Sequence, residues 1–313
     1  MAMTADSTSI AATPGRGGTA TRSSRRLLLS LPAVLVIGIF LLLPLGLMAY
    51  ISILEKGPAG GVKWGAHTVE PYISFLFERD LDDSLILNTD YLRIFVRSFW
   101  LAGLTTLLTL LIGFPTALGM ALAPPRWRNL LIFLVTIPFW ANLLVRNYAW
   151  IILLRNNGLL DGALSGLGLT QGRLDLLYTP TAILIGLVYS YLPFMVLPVF
   201  ASLEKMDWRL VEAAFDLGAD RWRALRRVIV PLAMPGIVAG CILVFIPGLG
   251  AYVTPELLGG GKALMIGNLI QSQFGAARNW PFGAALSFAL LAIVLVAMTV
   301  YLVRYRQAPG AER

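Results

Sequence analysis

The chain has 313 residues, of which 57% are hydrophobic and 13% are charged, and its formal net charge is +8. A soluble protein of this length usually carries about a quarter charged residues, so this composition excludes an ordinary soluble domain. The Lys and Arg residues cluster at the ends of long apolar runs, which indicates membrane topology and argues against nucleic-acid binding. With one cysteine, Cys241, and one histidine, His67, the sequence supports neither an internal disulfide nor a histidine-rich metal site.

The N-terminal residues are rich in Ser, Thr, Ala and Gly and show no hydrophobic periodicity. We therefore predict that residues 1–26 form a disordered cytoplasmic tail. An uncharged apolar run follows at 27–54, directly after Arg25 and Arg26. This run is longer than the apolar core of a cleaved signal peptide, about 7–15 residues, so we interpret it as a transmembrane helix with its N-terminus inside.

Five further apolar runs are long enough to cross a bilayer. The corresponding predicted spans are 98–123, 129–154, 181–203, 228–251 and 281–303. The basic turn at 124–128, the arginines within 221–227, and Arg304 and Arg306 all fall on one side of the membrane, which the charge bias assigns to the cytoplasm. The predicted fold is all-α, with six transmembrane helices in a domain at 27–306, both termini cytoplasmic, and a cytoplasmic tail at 307–313.

A polar, helix-forming stretch from Met206 to Gly236 separates the fourth and fifth predicted spans. Asp207 is a favourable N-cap for a first helix. Four small or apolar residues then fall on one helical face: Leu210, Ala213, Ala214 and Leu217. Gly218 stands where a helix ends in a left-handed residue, and Asp220 can cap a second helix that begins at Arg221. The pattern predicts two short helices joined by a glycine elbow at a membrane surface.

The sequence Glu212-Ala213-Ala214, with Gly218 four residues later and Val230-Pro231 beyond, resembles the "EAA" signature of ABC-importer permeases. In that family this loop, here 203–227, contains the coupling helix, which docks into a groove on a cytoplasmic ATPase. The residues to which the resemblance assigns this coupling role are Asp207, Leu210, Glu212, Ala213, Ala214, Leu217 and Gly218. Paired alanines allow close approach of another surface, and Glu212 supplies a charge that fixes the register. The alternative is an amphipathic helix that lies on the lipid headgroups.

Polar residues also interrupt the predicted third span, where Arg146 and Asn147 stand in an apolar run. Ionisable residues inside a membrane are functional candidates, although Arg146 is near enough to the outer interface to snorkel. In the fifth span, Gly236 and Gly240 form a GxxxG pattern that favours close helix packing. The proline and glycines at 247–250 should interrupt this helix, either as a pathway or gate element or as a packing kink.

Several segments extend the resemblance to the spermidine/putrescine permease family over roughly 27–306. They are 144–150, 157–160, 189–195, 253–260 and 279–283. The candidate substrate-pathway residues are Arg146, Asn147, Tyr148, Tyr189, Tyr191, Tyr252 and Glu256. Aromatic faces and a carboxylate suit a flexible polyamine cation, whereas Arg146 suits it only if a partner neutralises the arginine charge.

The resemblance implies an importer subunit in the bacterial cytoplasmic (inner) membrane, surrounded by lipid. The implied partners are two ATP-binding cassette ATPase subunits, a second related permease and a periplasmic or lipid-anchored solute-binding protein. ATP and magnesium would be bound by the ATPase subunits, with no cofactor in this chain. Relatives in the wider group carry iron, thiosulfate or other solutes, so another solute is an alternative.

The chain itself carries no recognisable catalytic motif. The glycines at 259–261 and Lys262 resemble the end of a phosphate-binding loop, but Ala263 stands in place of the required Ser or Thr. A membrane-embedded enzyme is therefore not expected. A secondary transporter would favour paired or inverted repeats, which the sequence does not show, and it would leave the coupling loop unexplained.

Overall fold

The structure is a computed structural model that describes residues 20–79, 85–166 and 175–306. The first elements are α1 (Ala20–Ile51), β1 (Leu54–Lys56), β2 (Val62–His67), α2 (Glu70–Ile73), β3 (Phe77–Arg79) and β4 (Leu85–Leu87). They are followed by α3 (Asp90–Leu122), α4 (Pro125–Trp140), α5 (Leu143–Leu154), α6 (Leu159–Gly166), α7 (Pro180–Glu204) and α8 (Arg209–Asp216). The last are α9 (Arg221–Ala224), α10 (Val230–Leu249), α11 (Val253–Gly259), α12 (Ile266–Phe274) and α13 (Trp280–Arg306).

Helix α1 belongs, up to Tyr50, to a first unit, and the chain from Ile51 onward forms a second unit. Described by itself, α1 is an apolar helix with two internal prolines, Pro32 and Pro44. It begins at Ala20, within the predicted tail, because the Arg and Leu residues that follow are good helix formers. The rest of that predicted tail, and the whole of the predicted tail at 307–313, lie outside the described residues.

Among the described residues, five helices are long and apolar enough to cross a membrane. They are Val34–Ile51, Asp90–Leu122, Pro180–Glu204, Arg221–Leu249 and Trp280–Val300. The predicted third span at 129–154 is not one straight helix, because α4 and the helical segment that begins at Leu143 meet at an angle of 89°. Counted together as one bent span, this pair raises the number of candidate spans to six, as the sequence predicted.

The break between α4 and α5 has a local cause. Pro138 lacks the amide hydrogen that would continue the helical ladder, and Ala141 and Asn142 adopt extended backbone angles. Asn142 then caps α5, since its side chain accepts a hydrogen bond from the Leu144 amide at 2.8 Å. The chain therefore stops one helix and starts another inside a single predicted span.

The core of the second unit is built around α7, which packs against both α3 and α10. Two glycines allow α7 and α10 to approach closely. A Cβ added at Gly236 would lie closer than 3.0 Å to the Pro198 carbonyl oxygen and to Ser202, and one at Gly240 would meet the Met195 sulfur at 2.7 Å. The close packing predicted from the GxxxG pattern is confirmed.

The fifth span differs from its predicted form at both ends. It is continuous from Arg221, so the second helix of the elbow is the start of the span and not a separate short helix. A π-helical turn at Leu225–Ile229 joins α9 to α10, where Pro231 has no amide hydrogen for the Arg227 carbonyl. At the other end, α10 runs through Pro247 and ends at Leu249, so the predicted interruption lies at the next three residues.

Candidate functional site

The glycine elbow has the geometry that the sequence predicts. Gly218 has φ = 83°, a left-handed conformation. The amides of Gly218 and Ala219 donate to the carbonyls of Phe215 and Ala214, both at 2.9 Å, which is the Schellman pattern of helix termination. Asp220 then caps α9, since its Oδ1 accepts from the Arg223 amide at 2.7 Å.

Asp207 holds the start of α8, although the N-cap position itself is occupied by the next residue, Trp208. The Oδ1 of Asp207 accepts from the Arg209 amide at 3.1 Å, while Trp208 makes no side-chain cap bond. Val211 is 7% exposed and packs into the core cluster of α3, α7 and α10, so it holds α8 against the rest of the unit. The helix is therefore fixed at its first turn and at one inward residue.

The predicted coupling face is accessible on this chain. Leu217 is 89% exposed, Leu210 and Ala213 are exposed, and Ala214 is half-buried. Glu212 is also exposed, but at about 100° per residue it lies on the side of α8 away from the centre of that face. The sequence reading missed two exposed aromatic residues that flank the elbow in the chain, Phe215 and Trp222.

The bend between α4 and α5 is braced by Arg146. Its Nη1 donates to the Pro138 carbonyl at 2.9 Å, in the last turn of α4, where helix carbonyls lack intrahelical partners. The guanidinium carbon also lies 6.0 Å from the ring centroid of Tyr189, and that ring meets Trp150 edge-on at 5.4 Å. A helix C-terminus and an aromatic face both favour a positive charge, so the arginine charge is partly compensated within the chain.

A cavity of about 450 Å³ opens beside this bend. Its lining residues are Phe139, Ala141, Leu143, Arg146, Ser190, Tyr191, Phe194, Pro247, Gly250, Ala251, Tyr252, Val253 and Thr254. The cavity thus brings together three of the predicted pathway residues, Arg146, Tyr191 and Tyr252. Tyr191 is held in place, since its hydroxyl donates to the Pro247 carbonyl at 3.2 Å. Among the described residues, the lining contains hydroxyls and one cation but no carboxylate.

The other pathway candidates lie outside this lining. Asn147 is 1% exposed and donates to the Leu143 carbonyl of its own helix at 2.8 Å. Tyr148 is exposed elsewhere on α5, and Tyr189 contacts Arg146 without lining the cavity. Glu256 lies on α11, where its Oε2 accepts from the side-chain amide Nδ2 of Asn268 at 2.7 Å. The sequence reading missed Asn268, whose importance depends on a contact between different helices.

A second, open cavity of about 600 Å³ shares Gly250 and Tyr252 with the first and is otherwise lined by α12 and Gly275. We call the three residues Gly250–Tyr252 the strap. A Cβ at Gly267 would lie 2.7 Å or less from the carbonyl oxygens of Gly250 and Ala251, so α12 lies directly against the strap. The strap therefore lies at the border of two cavities, since Gly250 and Tyr252 line both.

Comparisons of this chain with a family model and with known proteins agree on one family. Residues 96–308 match the family described as "Binding-protein-dependent transport system inner membrane component". The chain is 44% identical over 216 residues to the spermidine/putrescine transport system permease protein PotB of Haemophilus influenzae, covering 69% of this chain and 76% of that relative. It is 42% identical over 230 residues to PotB of Escherichia coli K12, covering 74% of this chain and 83% of that relative.

A solved structure also shares the fold. The crystal structure of a bacterial ABC transporter involved in the import of the acidic polysaccharide alginate superposes with a TM-score of 0.68 at 17% sequence identity. The match covers 92% of this chain and 97% of that chain. At this identity the likeness shows the fold of an importer permease and carries no information on the solute.

Proposed function

This chain belongs to the family of inner membrane components of binding-protein-dependent transport systems, and from that premise we propose that it is a permease subunit of an ATP-driven polyamine importer. The observation that carries the proposal is the 44% identity to a spermidine/putrescine permease over 69% of the chain. In this role the chain forms part of the solute pathway, and the energy comes from ATP bound with magnesium on partner subunits.

The elbow at Gly218 supports the coupling part of the proposal. An exposed apolar face that includes Leu210 and Leu217 stands on a helix held by Val211 and Asp207. Such a face, presented by a rigid helix, suits docking in a groove of an ATPase subunit. The full assembly that we propose contains two ATPase subunits, a second related permease and a periplasmic or lipid-anchored binding protein in a bacterial inner membrane.

The charge distribution is compatible with a cationic solute. Arg146 is partly compensated by the Pro138 carbonyl and the Tyr189 ring, so it does not present an isolated charge to the cavity. Aromatic faces of Tyr191 and Tyr252 line the same cavity and attract ammonium groups. Glu256 is the one carboxylate in the sequence between Asp220 and residue 306, and its side chain is exposed.

The solute proposal predicts the outcome of a competition experiment. In proteoliposomes that contain the complete complex and its binding protein, uptake of labelled spermidine should require ATP. A large excess of unlabelled spermidine or putrescine should reduce it by at least about tenfold, since the unlabelled solute competes for the same site in proportion to its excess. Molybdate and thiosulfate, at the same excess, are the control solutes and should not compete. Competition by a small anion alone would overturn the polyamine assignment and make Arg146 the leading recognition residue.

The orientation of the chain is tested by cysteine labelling. In a Cys241→Ser background, a cysteine at Trp64 in β2 should react with an impermeant thiol reagent from outside the cell. A cysteine at Ala219 in the elbow should react only after the membrane is permeabilised, because the surrounding arginines hold the elbow in the cytoplasm. The reverse labelling pattern would contradict the proposed topology and remove the elbow from the ATPase side.

A further inference from the structure

A buried amide on α12 connects it to the strap and to α11. Asn268 is 2% exposed, and its Nδ2 donates to the Tyr252 carbonyl at 2.9 Å and to Glu256 Oε2 at 2.7 Å. Its Oδ1 accepts from the Met265 amide at 3.3 Å. Both amide protons of a buried side chain are therefore used, one of them on a carboxylate, which is the stronger kind of acceptor.

The two helices joined by this contact are attached to different parts of the unit. Helix α11 packs on α5 and α7, where a Cβ at Gly186 would lie closer than 3.0 Å to Leu258 and Thr254. Helix α12 packs on α13 and α3, and the Ile266 amide donates to Ser98 Oγ at 2.8 Å. The contact between Asn268 and Glu256 therefore connects two groups of helices at the strap.

Arg97 strengthens the attachment of α12 to α3. Its Nε donates to the Leu264 carbonyl at 2.9 Å, and its Nη2 donates to the same oxygen. Since these bonds and the Ser98 bond do not involve Glu256, α12 stays tied to α3 if the Glu256 contact is broken. Loss of that contact would therefore loosen α11 from α12, while Asn268 keeps its bond to the Tyr252 carbonyl and α12 stays attached to α3.

Glu256 is the accessible member of the pair. Its side chain is exposed, whereas Asn268 is buried. A carboxylate accepts hydrogen bonds at several positions around its two oxygens, and an ammonium group is a stronger donor to it than a neutral amide. Glu256 lines neither cavity, but it lies one helical turn from Tyr252, which borders both, so a cation close to Tyr252 can compete with Asn268 for this carboxylate.

We propose that Asn268 and Glu256 form a latch that joins α12 to α11 beside the strap, and that an ammonium group of the transported cation opens it by taking the Glu256 carboxylate. This inference rests on the proposed transport of a polyamine. When the carboxylate turns to the ammonium group, a buried Nδ2 proton of Asn268 loses its acceptor, which destabilises the closed arrangement. Solute arrival is thereby linked to loosening of α11 from α12 next to the strap, where Asn268 keeps its bond to the Tyr252 carbonyl.

Two variants test the negative charge of Glu256 and the hydrogen bonds of Asn268 separately. Glu256→Gln retains an acceptor for Asn268 but removes the negative charge, so the latch should stay closed when solute arrives. In the complete complex, spermidine uptake at saturating binding protein should fall by at least about tenfold, the usual scale for loss of a charged hydrogen bond, with low ATP hydrolysis. Asn268→Leu keeps a similar volume but removes the donors to Glu256 and to the Tyr252 carbonyl, so the latch should open and ATP hydrolysis should no longer depend on loaded binding protein.

The matched control is Glu70→Gln, which removes an exposed carboxylate in α2 and should leave uptake and hydrolysis unchanged. Wild-type uptake by Glu256→Gln would overturn the ammonium step, and wild-type dependence on binding protein in Asn268→Leu would overturn the latch. If the unaltered complex takes up no polyamine, the proposed function and the ammonium step both fail. The latch is then decided by the thermal stabilities of Glu256→Ala, Asn268→Ala and the double variant, which should be non-additive if the pair interacts and additive if it does not.

Discussion

A permease in which Leu217 is replaced by arginine is expected to fold and reach the membrane but to lose its ATPase subunits. Leu217 is 89% exposed, so its replacement removes almost no packing within this chain. In the proposed complex it lies at the centre of an apolar contact, where an unpaired guanidinium would be desolvated. Loss of a central interface residue commonly costs about 2 kcal/mol or more, which corresponds to roughly a thirtyfold weaker association.

The measurement is the amount of ATPase that copurifies with the tagged permease, together with ATP-driven uptake in proteoliposomes. The matched control is Leu159→Arg, because Leu159 is also a highly exposed leucine, 71% exposed, at the start of α6. The control should retain its ATPase and its uptake. Normal copurification by Leu217→Arg would show that this face of α8 is not the ATPase contact.

The second large effect is expected on folding, from Gly236→Leu. A side chain at this position would run into the Pro198 carbonyl of α7, which is backbone and cannot move aside as a flexible side chain can. Helices α7 and α10 would have to separate along the contact on which the core depends. Overpacking of this kind costs about 1–3 kcal/mol, and more where backbone must shift, so little folded protein should be recovered.

A graded series tests this explanation by size-exclusion profile and thermal unfolding in detergent. Gly240→Leu should be milder, because the nearest obstacle there is the flexible Met195 side chain. Gly119→Leu, on α3, is the control, since a Cβ at Gly119 meets nothing within 4 Å. Equal stability of all three variants would contradict the close α7–α10 contact as the source of the effect.

The features that the sequence predicts well are those whose causes are local. The left-handed Gly218 and the cap formed by Asp220 follow from residues within one or two turns, and both are found. The GxxxG contact is also predicted, since only small residues allow two helix backbones to approach. The candidate spans follow from apolar length, and the family follows from a spaced pattern of residues.

The break in the third span could not be predicted in the same way. The run at 129–154 is long enough to span a bilayer despite its few polar residues, and a proline such as Pro138 is tolerated within transmembrane helices. The break persists because Arg146, on the far side of it, donates back to the Pro138 carbonyl. The continuous helix from Arg221 could not be predicted in this way either. The sequence pattern predicts a boundary between a short helix and the fifth span, but a π-helical turn at Leu225–Ile229 keeps the helix continuous there.

The sequence by itself therefore determined the membrane class, the candidate spans, the family and the elbow at Gly218, because each depends on residues close together in the chain. Only the tertiary structure decided that Arg146 braces a bend, that Tyr191 and Tyr252 share a cavity, and that Glu256 contacts Asn268. These contacts join different helices, and a pairing between helices depends on how their faces pack together. The pattern of residues along any one helix does not contain that information.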